Sequence, residues 1–90
     1  MPSSIEILNL SYNNIRILPE DVCQGLTKMT TLEISNNKLE SFENFNLMHR
    51  MKRLLAKNNY VSKLFPIESI QNIYEVDLEG NAIDSHKDFL

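Results

Sequence analysis

Few side chains in this sequence are of types that could perform catalysis or bind a metal. Cys23 is the only cysteine, and no base stands at a recognisable spacing from it. A single cysteine can form neither an internal disulfide nor a thiolate metal cluster, and without a paired base a thiolate nucleophile is disfavoured. His49 and His86 are far apart, and neither has a Cys, Asp or Glu partner at a metal-ligand spacing. We expect Cys23 to be a small buried or half-buried residue, His49 to lie in a turn, and His86 to be solvated.

Three acidic residues alternate along the sequence at Glu75, Asp77 and Glu79. Oxygen-rich calcium sites need a turn in which the ligands converge, whereas alternating residues of a strand share a face without converging. The chain has only two glycines and no glycine-rich loop that could hold a phosphate. The sequence thus predicts no metal, no cofactor and no enzymatic activity.

The size and composition are those of one small folded domain. Of the 90 residues, 42% are hydrophobic and 23% are charged, which argues against disorder. No apolar run approaches the roughly 20 residues that span a bilayer, and residues 1–4 lack the features of a signal peptide. Together with the single cysteine, these features predict no membrane partner and an intracellular, cytoplasmic location, with the nucleus or the cilium as alternatives.

The strongest pattern is an internal repeat marked by four asparagines, which are separated by 24, 22 and 22 residues. Each asparagine has apolar residues eight, five and three places before it and another two places after it. The four frames are Ile5, Leu8, Leu10, Asn13, Ile15; then Met29, Leu32, Ile34, Asn37, Leu39; then Met51, Leu54, Ala56, Asn59, Val61; and finally Ile73, Val76, Leu78, Asn81, Ile83.

The spacing within each frame has a simple physical reading. The residues five and three places before the asparagine point to the same face of a strand. One coil cannot bury that face alone, but stacked coils build a continuous core between them. After each strand the chain turns inward, and an Asn amide can satisfy the backbone groups that this turn removes from water. We therefore interpret Asn13, Asn37, Asn59 and Asn81 as a structural ladder that ties the coils together.

The segments between the frames predict the opposite side of the molecule. Residues 19–25 read as a short helix, with Pro19 at its start, acids in its first turn and Gly25 at its exit. Residues 43–50 and 65–72 contain two residues fewer and predict 3₁₀ turns. Strands about 4.8 Å apart on one side and bulkier turns on the other bend such a stack. The predicted fold is α/β, a solenoid arc with a four-stranded parallel concave sheet and short helical or 3₁₀ turns on its convex side.

This frame resembles the leucine-rich repeat family. Its 22-residue spacing is similar to the short intracellular subclass, which includes a phosphatase regulatory subunit, the spliceosomal A-prime protein and a dynein light chain. The frame predicts a single repeat domain over residues 1–90, with repeats at about 5–28, 29–50, 51–72 and 73–90. Residues 79–83, followed by Phe89, resemble the start of the subclass's C-terminal cap, although Ala82 replaces its proline. We expect a fragment that lacks full caps and whose apolar ends could self-associate.

The residues beside the core positions of each strand should face solvent on the concave side. We expect a partner to contact Ile7, Asn9, Tyr12, Glu33, Arg53, Leu55, Lys57, Glu75, Asp77 and Glu79. Ile7, Leu55 and Tyr12 are apolar or aromatic among polar neighbours, which is the composition of a protein-binding hot spot. The alternative interpretation is that isolated exposed apolar residues are common.

The charges of this face allow a second interpretation. The frame places Arg53 beside Glu75 and Lys57 beside Glu79, so opposite charges on neighbouring strands can pair with each other. Such pairing leaves less charge for a partner that is acidic or carries a phosphate.

The leading functional hypothesis is a scaffold that binds a protein partner on the concave sheet. One alternative is a nucleic-acid or ribonucleoprotein-associated module, suggested by the spliceosomal resemblance and by Arg50, Lys52, Arg53 and Lys57. The adjacent acids and the net charge of −3 argue against nucleic acid, because the phosphate backbone needs an unopposed basic surface. Another alternative is an architectural segment whose ends dock against other repeats of a larger protein.

Overall fold

The computed structural model describes residues 4–83 and shows four short parallel strands in one sheet. The Phe89 part of the cap resemblance, His86 and residues 1–3 lie outside this range. The strands are β1 (Ile7–Asn9), β2 (Thr31–Glu33), β3 (Arg53–Leu55) and β4 (Glu75–Asp77), and they lie side by side in chain order. The predicted four-stranded parallel sheet is therefore confirmed.

Each strand pairs with the next at the equivalent position of the repeat. The first row across the sheet is Ile7, Thr31, Arg53 and Glu75, and the third row is Asn9, Glu33, Leu55 and Asp77. Backbone hydrogen bonds continue beyond the strands, where Tyr12, Asn36 and Asn58 each donate an N–H to the coil that follows. The coils are thus held at one fixed register over more residues than the strands contain.

The middle row of the sheet faces the core. Leu32 and Leu54 are fully buried, and so are Ile34 and Ala56 two places further along. A fully buried leucine contributes about 1.5–3 kcal/mol to folding through apolar surface removed from water. At the outer strands Leu8 is half-buried and Val76 is 39% exposed, because a coil of the described range covers each on one side only.

The connections match the predicted positions of the helix and turns. Residues 4–83 contain one α-helix, α1, which spans Glu20–Gly25; Pro19 is its N-cap, and Glu20 and Asp21 occupy its first turn near the positive end of the helix dipole. The helix ends at Gly25 as predicted, but it begins one residue later than predicted, because Pro19 is its N-cap and not its first helical residue. The two shorter connections contain 3₁₀ turns at Phe45–Leu47 and Ile67–Ser69.

Aromatic side chains fill the space between the second strand and its 3₁₀ turn. The ring centroids of Phe42 and Phe45 lie 5.1 Å apart with the planes tilted by 54°, and both side chains are fully buried. The amide of Asn44 adds a polar tie, since its Nδ2 donates to the carbonyl of Leu18 at 2.8 Å. On the convex side, the hydrogen bond of Asn44 therefore joins the second coil to the first.

The buried asparagines join each coil to the coil before it. Asn59 is 3% exposed, and its Nδ2 donates to the carbonyl of Ile34 in the preceding coil at 3.0 Å. Its Oδ1 accepts from the backbone N–H of Leu39, also in the preceding coil, at 2.9 Å. Asn37 repeats this arrangement one coil earlier, with the carbonyl of Leu10 as acceptor and the N–H of Ile15 as donor.

The outer two asparagines differ from each other. Asn81 is half-buried and reaches back to the carbonyl of Ala56 and the N–H of Val61. Asn13 is exposed, and within residues 4–83 its Nδ2 donates only to carbonyls of its own coil, those of Leu10 and Ser11. The expectation that the side chain of Asn13 ties two coils together is corrected on this point. The other three ladder asparagines each bond to the preceding coil, whereas Asn13 lies in the first coil of residues 4–83 and has no preceding coil in that range.

We expect Asn59→Ala and Asn37→Ala each to lower the free energy of unfolding by about 1–3 kcal/mol, because each removal strands buried backbone groups. Asn13→Ala is the matched control and should have a clearly smaller effect, since its side chain is exposed and bonds locally. Chemical denaturation followed by circular dichroism measures all three. Equal losses for Asn13→Ala and Asn59→Ala, or no loss in either, would contradict the ladder.

Candidate functional site

The residues predicted to contact a partner lie on the side of the sheet opposite the core. In β2 and β3 the middle residues, Leu32 and Leu54, are buried toward the core, so the residues on either side of them point to the concave face. Ile7 and Tyr12 are the most exposed apolar members, at 69% and 81%. Of the remaining predicted residues, three are exposed and five are half-buried. The exposed ones are Asn9, Glu75 and Glu79; the half-buried ones are Glu33, Arg53, Leu55, Lys57 and Asp77.

Two ion pairs connect the third coil to the fourth across this face. The Nε of Arg53 donates to Oε1 of Glu75 at 2.8 Å, and this hydrogen bond, with the attraction of the carboxylate, raises the pKa of Arg53 above its ordinary value. The Nζ of Lys57 lies 3.6 Å from Oδ2 of Asp77. The prediction that Lys57 pairs with Glu79 is wrong: a long lysine side chain reaches diagonally to the acid two places before its row partner, well within the span of such diagonals.

These pairs neutralise the basic part of the concave face. Arg53 and Lys57 each face a carboxylate, and Arg50 lies elsewhere, beside His49 in a depression that Gln24 and Thr27 also line. Of the four basic residues that suggested nucleic acid, two are therefore paired with acids and a third, Arg50, lines a different depression. Since binding to the phosphate backbone depends on an unopposed basic surface, the geometry weakens the nucleic-acid alternative.

A groove of about 450 Å³ lies over the first three strands of the concave face. It is lined by Asn9, Ser11, Tyr12, Glu33, Ser35 and Leu55. The serine hydroxyls take part in the backbone network below it, since Ser35 Oγ donates to the carbonyl of Leu55 and Ser11 Oγ accepts from the N–H of Ser35. The side chains that remain available to a partner in this groove are those of Tyr12, Leu55, Glu33 and Asn9.

One position of each coil has a left-handed backbone, which the apolar pattern did not predict. It is the residue directly before each ladder asparagine: Tyr12, Asn36, Asn58 and Gly80, with φ of 63°, 58°, 56° and 79°. Asn and Gly are the residues that adopt this conformation most readily. The signal available in the sequence was the recurrence of Asn, Asn and Gly at this place. Tyr12 is the exception among these four residues, because it is neither asparagine nor glycine.

A second depression, also missed by the sequence reasoning, lies between the second and third connections. It measures about 510 Å³, and its lining includes Glu40, Asn46, Lys63, Phe65 and Pro66. Phe65 is 72% exposed and takes the place in the repeat that Pro19 and Glu43 hold in earlier coils. The sequence did carry a signal for this depression. It was the aromatic residue at a position where the earlier coils have proline and glutamate.

Among the residues considered for chemistry, Cys23 is buried and His49 is exposed. Burial, with a smaller contribution from Asp21, raises the pKa of the Cys23 thiol to about 11, so it is protonated at neutral pH and is not an activated nucleophile. His49 is exposed in a turn. Among residues 4–83, no three His, Cys, Asp or Glu side chains lie close enough together to hold a metal ion. In the same range, no helix combines the length and apolar character needed to cross a membrane.

The raised pKa of Cys23 predicts a pH dependence of stability. The folded state disfavours the thiolate, so the stabilising contribution is fully present below the unfolded-state pKa of 9.0 and is lost as pH rises toward about 11. We expect the free energy of unfolding to fall across this alkaline range, and Cys23→Ala to reduce that fall. Denaturant titrations at several pH values test this. An identical alkaline slope in the wild type and the variant would show that Cys23 does not titrate in this range.

Comparison with known proteins agrees with the repeat. The leucine-rich repeat family model matches residues 2–39. The follicle-stimulating hormone receptor of Equus caballus is 36% identical over 78 residues, which are 84% of this chain and 11% of the receptor. Osteomodulin of Bos taurus is 30% identical over 87 residues, or 94% of this chain and 20% of that protein. Leucine-rich repeat-containing G-protein coupled receptor 6 of Homo sapiens is 30% identical over 59 residues, or 66% of this chain and 6% of the receptor.

This chain therefore spans a fifth or less of the length of these relatives. The comparisons do not confirm the short intracellular subclass that the 22-residue spacing suggested. The family model, these relatives and the four coils stacked in register agree on the repeat itself. The chain belongs to the leucine-rich repeat family.

Proposed function

We propose that this chain is a protein-recognition module that binds its partner on the concave face, through the groove lined by Tyr12, Glu33 and Leu55. Leucine-rich repeat domains generally mediate protein–protein interaction. The observation that carries the proposal for this chain is the exposed aromatic ring of Tyr12, held in a left-handed backbone conformation at the edge of the groove.

Tyr12 is unfavourable at its position as far as folding is concerned. A left-handed conformation costs a residue with a large side chain about 1–2 kcal/mol, and asparagine or glycine adopts it more easily. The equivalent places in the other coils are Asn36, Asn58 and Gly80, which suit the conformation. The ring of Tyr12 is 81% exposed, so little packing offsets this strain. Strain at an exposed aromatic residue is typical of a binding position, where the folded state gives up stability for contact with a partner.

The neighbours of Tyr12 supply the rest of a binding site. Leu55 is half-buried in the floor of the same groove, and Ile7 is 69% exposed on the first strand. Polar side chains surround them, as in hot spots where an apolar centre is ringed by groups that exclude water. The second depression beside Phe65 lacks comparable backbone strain in its aromatic residue, since Phe65 is not among the residues with positive φ. The concave groove is therefore the better candidate.

The relatives support a binding function without adding a partner. The name of the horse protein states that it is a receptor for follicle-stimulating hormone. We carry over to this chain only recognition of a protein, without catalysis. The intracellular location, self-association through the ends and the architectural role in a larger protein stay predictions.

The substitution Tyr12→Asn separates folding from binding in one variant. It should raise the free energy of unfolding by about 1 kcal/mol, because asparagine relieves the left-handed strain, as at Asn36. The same substitution should weaken partner binding by at least about 5-fold, because it removes an aromatic anchor of the hot-spot type. Denaturant melts give the first quantity. Selection of peptides from a displayed random library, followed by titration of single peptides, gives the second.

Tyr60→Asn is the matched control, since Tyr60 is also an exposed tyrosine, at 63%, but lies one place after a ladder asparagine and outside the groove. Binding should survive this change. If Tyr12→Asn stabilises the chain and leaves binding intact, the concave groove is not the docking surface. If Tyr60→Asn alone abolishes binding, the partner occupies another face.

A further inference from the structure

The concave face carries more negative charge than its own cations can neutralise. Both of its cations are engaged, Arg53 by Glu75 and Lys57 by Asp77. Within residues 4–83, the carboxylates of Glu33 and Glu79 take part in no salt bridge. Of these two, Glu33 lies in the groove.

The surroundings of Glu33 leave its carboxylate without a strong internal partner. Its row neighbours are Asn9 on β1 and Leu55 on β3. The nearby hydroxyl of Ser35 donates instead to the carbonyl of Leu55, and Asn9 Oδ1 accepts from the N–H of Ser11. The Arg53 guanidinium is directed to Glu75, and its interaction with Glu33 is the weakest of those that favour its charged form. No hydrogen bond to the Glu33 carboxylate occurs among the described residues.

A half-buried carboxylate beside apolar surface has a defined chemical complement. A cation that approaches it inside a groove loses less attraction to solvent screening than one on an open surface. The aliphatic part of a Lys or Arg side chain can meanwhile lie along an apolar neighbour such as Leu55. An acidic or phosphorylated segment would be repelled by Glu33. Among the described residues of this face it would also find no free cation, because Arg53 and Lys57 are already paired with acids.

We infer that the groove receives a protein segment that places a Lys or Arg side chain on Glu33 and an apolar side chain against Tyr12 and Leu55. This inference rests on the proposed function, since it names the chemistry of the partner for the same surface. Strands in a sheet lie about 4.8 Å apart and rise about 3.3 Å per residue, so the cationic and apolar residues of an extended segment should stand within about four positions of each other.

A random peptide library displayed on phage tests this chemistry directly. The 90-residue chain is immobilised as wild type and as Glu33→Gln, Glu33→Lys, Tyr12→Asn and Glu40→Gln. Glu40 is an exposed acid that lines the second depression, so Glu40→Gln is a matched control for charge removal outside the groove. Circular dichroism melts establish that each variant is folded, and Glu33→Gln preserves the shape of the side chain.

We expect the wild type and Glu40→Gln to enrich peptides that combine Lys or Arg with a nearby apolar residue. Glu33→Gln should bind the selected peptides about 2-fold to 5-fold more weakly, the range typical of ion pairs near the surface. This difference should shrink at about 1 M salt, where the screening length falls to about 3 Å. On Glu33→Lys the enrichment should switch to Asp or Glu at the cationic position, and peptides carrying that exchange should recover binding.

The two ways of failing are distinguishable. Enrichment of peptides without a basic preference, lost on Tyr12→Asn, would overturn the inference about Glu33 while keeping the concave groove as the binding site. Recovery of the same peptides on the wild type, Tyr12→Asn and Glu33→Lys would overturn both the inference and the proposed function. A wild-type chain that enriches no sequence above background would likewise contradict both.

Discussion

The structure depends on one interaction that recurs from coil to coil, the hydrogen bonds from a buried asparagine amide to the backbone of the preceding coil. Asn37, Asn59 and Asn81 each donate to a carbonyl and accept from an N–H that water cannot reach well in the folded stack. Apolar packing alone would press the coils together without fixing their register, because hydrophobic attraction is non-directional. The amides and the backbone hydrogen bonds between the strands supply direction, and the four strands consequently meet at equivalent positions.

The fixed register determines what the concave face can present. Because Arg53 stands beside Glu75, the third and fourth strands neutralise much of each other's charge. Over the first three strands the same register brings Tyr12, Glu33 and Leu55 to one groove, although they belong to three different coils. The backbone below is held by the N–H of Tyr12 donating to the carbonyl of Ser35. The binding surface is thus assembled by the ladder and the sheet, and single coils could not form it.

The apolar frame predicted those features that follow from period and spacing. It located the strands, the parallel order, the helix near residue 20 and the residues that face solvent, because each depends on which side chains must leave water. It could not predict the partner of Lys57, because the local geometry of a flexible side chain decides whether it pairs with Asp77 or with Glu79. It also missed the left-handed residue before each ladder asparagine, because apolar periodicity carries no information about φ. The recurrence of Asn36, Asn58 and Gly80 at this position was a separate signal. The left-handed conformation of Tyr12 is unusual only in comparison with Asn36, Asn58 and Gly80, the equivalent residues of the other coils.

Native-state amide hydrogen exchange tests the ladder most directly, because it reports on individual donors. The backbone N–H groups of Ile15, Leu39 and Val61 donate to asparagine side chains. We expect Leu39, the donor to the most deeply buried asparagine, to be protected to a degree similar to that of Ile34 and Ala56, whose N–H groups bond between strands. We expect the N–H groups of Ile15 and Val61 to be protected from exchange as well. Exchange of all three as fast as that of an exposed residue such as Lys63 would contradict the ladder as an interaction that holds the coils together.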